Sequence, residues 1–478
     1  MTSKHYKKVS EKTINELKII VGDKNIIYLD NERLGPYSYD EGYKSNLGEH
    51  RKPEVVVMVD SKEEVSEVMK LANREMIPVT PRGAGSGLTG GAIPVYGGIV
   101  IAFEKMNRII ELDKENLMVT VEPGVITNEL NNLIAQEGLF FAGYPMSAET
   151  CFIGGNVAEN AGGGRAVKYG VTARYVLGLE VVLPNGDIVN LGGKLLKNVT
   201  GYNLLQLIVG SEGTLGLITK VTLKLLPLPK ARSVMLVFFE DLESAIEAVP
   251  AMISELKTIP SSIEFMDKAS IDTTYSCLKE KNPCPGMEAL LLIEVDGNDQ
   301  DLVRQEALDI GDYLLDRKAL DAIMAETPGE QEKLWKIRSY CPEALYEVSD
   351  YRISEDLVVP PSNIPEMVRE IKRLANKYKV TGACMGHVGD GNVHVIIYRT
   401  EGDTLDYWKS IHSELLAEIY MATKRLGGTI SGEHGVGSKR LHYMPLILDK
   451  VELELMRKIK DLFDPNHILN PGKIISLS

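Results

Sequence analysis

The sequence predicts an α+β protein with a two-lobed glycine-rich domain, a ferredoxin-like cap domain and a C-terminal helical segment. Three observations lead there. Strand, helix and strand patterns follow one another from Val55 and end on a loop with glycines at 83, 85, 87, 90 and 91. A second glycine-dense stretch, Gly143 to Gly164, precedes further strands and the turn Asn185-Gly186, a strong hairpin signal. From Ser233 the pattern becomes strand, helix, strand, strand, helix, as in half of a ferredoxin-like unit. A chain of 478 residues exceeds what one core normally supports. The expected divisions are 1–50, a helical and extended N-terminal segment; 51–229; a cap at 230–420; and 421–478.

Each element has its local reason. The first 50 residues give an amphipathic helix near Glu11–Val21 and then a tyrosine-rich polar segment. Val55–Val59 is a largely β-branched run, and Ser61-x-x-Glu64 is a capping box opening a helix to about Arg74. Ile77–Thr80 is a short strand delivering the glycine loop, and Gly98–Phe103, Met118–Glu122 and Gly178–Leu183 are further strands. In the cap, strands Val234–Phe239, Ser262–Met266 and Ala289–Val295 alternate with helices Leu242–Leu256 and Asp299–Leu315. Glu330–Leu345 is a helix with Leu334, Ile337 and Leu345 on its apolar side.

The loop Pro81-Arg82-Gly83-Ala84-Gly85-Ser86-Gly87-Leu88-Thr89-Gly90-Gly91 frees the backbone for positive φ and close approach to a ligand. Its successive amides suit an anion nest for a pyrophosphate. Gly85-x-Gly87-x-x-Gly90 matches the dinucleotide fingerprint by letter, but that motif opens a helix, and here Gly91-Ala92-Ile93-Pro94 and a strand follow. No Gly-Lys-Ser/Thr closes it, so it is not a Walker A loop. A net charge of −14 argues against nucleic-acid binding. The five cysteines contain no C-x-x-C pair, which points to a reducing, cytoplasmic setting without an iron–sulfur cluster. Met1–Lys12 is polar, and no apolar run approaches the ~20 residues of a membrane span.

Pro81–Ser86 resembles the pyrophosphate loop of the vanillyl-alcohol-oxidase (PCMH) type FAD flavoproteins. Within them the chain resembles the FAD-linked D-lactate/glycolate dehydrogenases from about residue 50 onward. The resemblance implies that Gly143-Tyr144-Pro145, Ser147, Gly154-Gly155, Asn160, Gly163 and Tyr169 wrap the flavin and adenine. It extends through Glu212-Gly213, Ile218 and Asn470 of the closing Asn470-Pro471-Gly472-Lys473 motif. Covalent members commonly place a histidine in the glycine loop; here Ser86 stands there, and the flanking histidines are His50 and His387, so FAD is expected to be non-covalent. Trp335-x-x-Arg338 matches the segment whose arginine grips a substrate carboxylate, a pairing suited to a planar guanidinium. Arg352 is a weaker second candidate.

Two histidine clusters suggest a metal. In Gly386–His394, a two-residue Asp390-Gly391 turn would set His387 directly opposite His394, with Cβ atoms roughly 5 Å apart. In Ser431-Gly432-Glu433-His434-Gly435-Val436-Gly437, glycines bracket a carboxylate and an imidazole. Two imidazoles and one carboxylate leave coordination positions open, as in catalytic zinc sites. The resemblance assigns His387, His394 and Glu433 as ligands of a divalent ion (zinc before iron or manganese) and His434 as the base. The implied reaction is oxidation of a D-2-hydroxy acid, D-lactate before glycolate or 2-hydroxyglutarate, with hydride passing to flavin N5. Electrons would then go to an electron-transferring flavoprotein or a quinone. A non-catalytic FAD relay subunit or a sugar or alcohol oxidase would have no need of the histidine clusters.

Overall fold

The computed structural model describes residues 6–43, 51–349 and 351–476; His50 lies outside them. The first lobe is a four-stranded sheet in the spatial order Ile26–Tyr28, Val55–Met58, Ile99–Ala102, Val79–Arg82. The last three run parallel, and the helices Glu11–Val21 and Lys62–Glu75 pack on it. Ser61 Oγ caps the second helix by accepting from Glu64 N at 3.2 Å, as its sequence signature predicts. Glu64 reaches back to Asp60 N rather than to the cap residue itself.

The second lobe is a five-stranded antiparallel sheet in the order Ile109–Asp113, Met118–Val121, Leu217–Lys224, Val176–Val182, Ile188–Gly192. The last two form the hairpin expected at Asn185-Gly186, with Gly186 at φ +89°.

The cap is one seven-stranded sheet. Ala231–Phe239, Ser262–Asp267, Ala289–Gly297 and Ala319–Met324 lie in the ferredoxin-like order, fourth, first, third, second. A helix the sequence pattern did not suggest, Lys268–Leu278, is inserted after the second strand, and Asp267 caps it through Ser270 N. Beyond Ser262–Asp267 the sheet continues with Thr381–His387, Asn392–Tyr398 and Arg352–Val358. Helices Leu242–Leu256, Gln300–Leu315, Ile364–Lys377 and Leu405–Arg425 bury one face. Helices Lys268–Leu278 and Pro328–Tyr346 cover part of the other. The position 420/421 falls inside helix Leu405–Arg425. After helix Lys450–Phe463 the chain returns to the first lobe, where Asn470 N donates to Val79 O. Among the described residues, no helix is long and apolar enough to cross a membrane.

Candidate active site

The site grows from two cross-strand rows on the less covered face of the cap sheet. Glu264 lies opposite His387, and His387 opposite Asn392; one row on, Met385 lies opposite His394, and His394 opposite Asp356. This corrects the expected hairpin. His387 pairs with Asn392 rather than His394, because the connection is the four residues Val388–Gly391 and not a two-residue turn. The histidines still meet, as diagonal neighbours on one face, with their Nε2 atoms 3.3 Å apart.

Opposite these rows lies the segment Ser431–Gly437. Asp356, fully buried in its strand, gathers the start of this segment on one oxygen. Its Oδ2 accepts from Ser431 Oγ (3.0 Å), Gly432 N (2.9 Å), Glu433 N (3.0 Å) and His434 N (2.9 Å), while Oδ1 accepts from Asn392 Nδ2 (2.7 Å). The result places Glu433 Oε1 at 3.6, 3.3 and 3.5 Å from the Nε2 atoms of His387, His394 and His434. His434 therefore stands as close to that carboxylate as the two expected ligands do.

Electrostatics follow from this crowding. Burial opposes the charge on Glu433, but hydrogen bonds from three imidazoles outweigh it and hold the carboxyl well below its ordinary range. Burial likewise opposes the His387 cation, yet Glu264, 2.5 Å from Nδ1, and Glu433 carry it well above the usual imidazole value. Burial pushes His394 down. Asp356 is held below the carboxylate range because the facing His434 and His394 outweigh its burial.

The donor set fits a divalent ion. The candidate ligand atoms of His387, His394 and Glu433 lie within 4.8 Å of one another, and so do those of Asp356, His394 and His434. Imidazole and carboxylate together suit zinc, iron or manganese. Glu264 holds His387 Nδ1, leaving Nε2 to face the centre, which is how outer carboxylates orient metal-binding histidines. Glu264 also receives Arg338 Nε at 2.8 Å in a fully buried ion pair, so Arg338 reaches the cluster through Glu264.

The nucleotide side approaches from the other domain. Glu41 and Gly42 donate to the carbonyls of Gly85 and Gly87. Among the described residues, the main-chain amides of 83–88 make no protein hydrogen bond, as an anion nest requires. Space for a ligand remains at Gly155, where an added Cβ would meet nothing within 4 Å. Several expected cofactor residues have protein partners. Arg82 donates to the carbonyls of Tyr39 and Pro36 beneath the loop, and Tyr169 OH donates to Asp296 of the cap at 2.7 Å. Ile218 is buried in the sheet core, Asn160 Oδ1 accepts from Ala173 N, and Ser147 O accepts from Thr150 N and Cys151 N. Gly163 lies against Tyr144 and Pro145, Gly154 against Pro123, and Gly213 against Pro81.

Thr89, Glu212 and Asn470 knit the two halves together. Glu212 accepts from Val436 N and Gly437 N, both at 2.7 Å; Thr89 Oγ1 donates to His434 O; and Asn470 Nδ2 donates to Glu212 O and Gly91 O. A Cβ at Gly162 or Gly164 would come within 3.2 Å of Glu433 and 2.6 Å of Glu264 respectively. The second glycine cluster thus lies directly over the histidine centre.

Residues 228–474 match the model of the C-terminal domain of FAD linked oxidases, more than half of the chain. The chain belongs to the FAD-linked oxidases. Residues 53–192 match the FAD binding domain model. This FAD-linked oxidoreductase is 39% identical over 449 residues to the glycolate oxidase subunit GlcD of Bacillus subtilis, covering 92% of each chain. It is 38% identical over 480 residues to a D-lactate dehydrogenase of Anaerostipes hadrus, covering 99% of each. Its fold is that of p-cresol methylhydroxylase, with a TM-score of 0.80 at 20% identity over 98% of both chains. The 4-ethylphenol oxidase of Gulosibacter chungangensis gives 0.76 at 18% identity over 97% of both. The vanillyl-alcohol-oxidase type architecture implied by the sequence is therefore the observed one.

Sequence reasoning missed Asp356 and Glu264. Neither stands out by its strand pattern, since Asp356 lies in Arg-Ile-Ser-Glu-Asp-Leu-Val and Glu264 in Ser-Ile-Glu-Phe-Met-Asp; it is their complete burial, which an acid tolerates only with partners, that marks them.

Proposed function

We propose that this FAD-linked oxidoreductase oxidises a small D-2-hydroxy acid, D-lactate foremost, to the 2-oxo acid. The observation that carries the reading is the convergence of His387, His394 and His434 on Glu433, beneath the glycine segment 162–164 of the FAD-binding domain. The relatives named D-lactate dehydrogenase and glycolate oxidase subunit support the substrate class, with glycolate as the alternative and D-2-hydroxyglutarate behind it.

The glycine loop 81–91, the stretch 143–164, Glu212–Gly213 and Asn470 would hold FAD non-covalently. Bound FAD supplies the two-electron acceptor. His387, His394 and Glu433 would hold one divalent ion, zinc favoured, which supplies positive charge that eases ionisation of the substrate hydroxyl. His434 takes the hydroxyl proton at Nε2, and the Asp356 carboxylate, 3.8 Å from its Nδ1, stabilises the imidazolium that results. Arg338, its Nε fixed by Glu264, offers its terminal nitrogens to the substrate carboxylate. The gathered loop and the overlying glycines exclude water from the proton transfer. We assign the protein to the cytoplasm, with an electron-transferring flavoprotein as its acceptor.

Anaerobic mixing with a panel of D- and L-hydroxy acids tests this. D-Lactate should bleach the bound flavin fastest, and its L-enantiomer should leave it oxidised. Bleaching by L-acids or by sugars alone would overturn the reading. Reoxidation by a quinone analogue but not by an electron-transferring flavoprotein would overturn the acceptor assignment.

A further inference from the structure

A cavity of about 380 Å³ opens at the seam between the second lobe and the cap, lined by Lys168, Tyr169, Arg174, Tyr175, Lys224 and Leu226. Three of its six lining residues are cations and none is an acid, on a chain whose net charge is −14. That local reversal of charge needs a reason.

The walls are held in place by the protein. Gly170 has φ +79°, and an added Cβ there would sit 2.2 Å from Arg174 Cδ and 2.9 Å from Cζ, so the arginine side chain lies flat across a position only glycine permits. Tyr175 OH donates to Tyr169 O at 2.9 Å, and Lys224 N donates to Tyr175 O at 2.7 Å, tying three lining residues together. Lys168 Nζ is neutralised by Asp296 of the cap at 2.6 Å. Among the described residues, no carboxylate forms an ion pair with Arg174 or Lys224. Two unneutralised cations, Arg174 exposed and Lys224 half-buried, therefore line one cavity.

The cavity is separate from the nucleotide loop. Lys224 ends the strand Leu217–Lys224 and pairs with Met118, whereas Glu212–Gly213 precedes the other end of that strand. Leu217 and Lys224 are the two ends of this 8-residue strand, roughly 23 Å apart. It also shares no residue with the histidine cluster.

We propose that this cavity is a second ligand site for a small phosphate-bearing metabolite. A guanidinium fork beside an ammonium matches phosphate oxygens, and the tyrosine rings offer faces for an attached organic group. The volume suits a ligand of nucleoside monophosphate size. Because Lys168 and Tyr169 reach Asp296 from the same wall, an occupant would bear on the contact between FAD-binding domain and cap.

Calorimetric titration of the FAD-loaded protein tests the site, loading being needed because AMP is itself a piece of FAD. The probes are AMP, inorganic pyrophosphate and adenosine, in about 50 mM salt to limit screening. AMP and pyrophosphate should bind at one site and adenosine should not. The double substitution Arg174→Ala with Lys224→Ala, and Lys224→Gln alone, should retain FAD and the ligand-free melting temperature. The double variant should weaken AMP binding by about tenfold or more. No binding heat with AMP or pyrophosphate up to about 10 mM, binding of adenosine as tight as AMP, or an affinity unchanged in the double variant would each overturn the assignment.

Discussion

Asp356→Asn isolates the device that assembles the histidine centre. One carboxylate oxygen receives four donors from Ser431–His434, and the other receives Asn392 Nδ2. An asparagine cannot satisfy both sets. With its amide toward Asn392 it sets two donors face to face; with its amide toward the loop it forfeits all four loop bonds. In the milder case the four loop bonds survive to a neutral oxygen. Bonds to a charged group contribute about 1.5–3 kcal/mol against about 0.5–1.5 for neutral pairs. The loss is then about 1 kcal/mol per donor before allowing for one oxygen serving four. We expect about 3 kcal/mol, borne by the loop that carries Glu433 and His434. The assay is metal content by elemental analysis, alongside thermal unfolding and bound-FAD absorbance. Asp356→Asn should lose most of its metal while retaining FAD, with a depressed melting temperature. A variant with full metal content and an unchanged melting temperature would refute the anchoring role.

Acid or heat precipitation should release FAD into the supernatant, checked by absorbance of both fractions; flavin retained on the polypeptide would contradict the reading from Ser86. Glu433→Gln should lose metal and activity together, whereas His434→Asn should keep metal and FAD and slow flavin reduction by about 10²–10⁴-fold in anaerobic stopped flow. Since His434 stands as near Glu433 as the other two histidines do, loss of metal in His434→Asn would make it a ligand instead. Arg338→Met removes one of the two buried cationic partners of Glu264 and leaves His387 as the other, so it should destabilise the protein by less than the about 3–5 kcal/mol of a fully orphaned buried charge, read in denaturant unfolding. Burial opposes the charge on Glu355, but Lys439 and Arg440 outweigh it, so its folded pKa lies below the unfolded value. Its contribution is complete above the ordinary glutamate range and is lost as pH falls through the folded pKa. Glu355→Gln should therefore show a shallower loss of stability on acidification than the parent chain.

The local elements were legible because their causes are local. Helix Glu11–Val21 and the hairpin at Asn185-Gly186 follow from periodicity and turn chemistry within a few residues. The ferredoxin-like half was legible from its alternation, but helix Lys268–Leu278 was not, since its apolar positions are interrupted by Ser270, Thr273, Thr274 and Ser276. His387, His394 and Glu433 were singled out because their two clusters are set among glycines and resemble the family's metal motifs. Asp356 and Glu264 act on partners 36 to 123 residues away in sequence, and no spacing rule reaches that far.

Glycine density shows a further limit, because it marks close approach without saying to what. Gly435 and Gly437 adopt positive φ, and side chains there would strike Glu159 and Thr89, so the loop 431–437 is glycine-rich in order to lie against its own protein. The same holds at Gly162 and Gly164, whose neighbours are Glu433 and Glu264. Glycines that read as ligand-directed thus also bring two domains within van der Waals distance. That contact has a functional consequence. With Glu212 gripping Val436 and Gly437 and Thr89 gripping His434, the segment that carries His434 and the nucleotide loop share one set of hydrogen bonds. These hydrogen bonds fix their spacing locally, so under the proposed mechanism a hydroxy acid bound between them would meet a proton acceptor and the nucleotide loop already held in register.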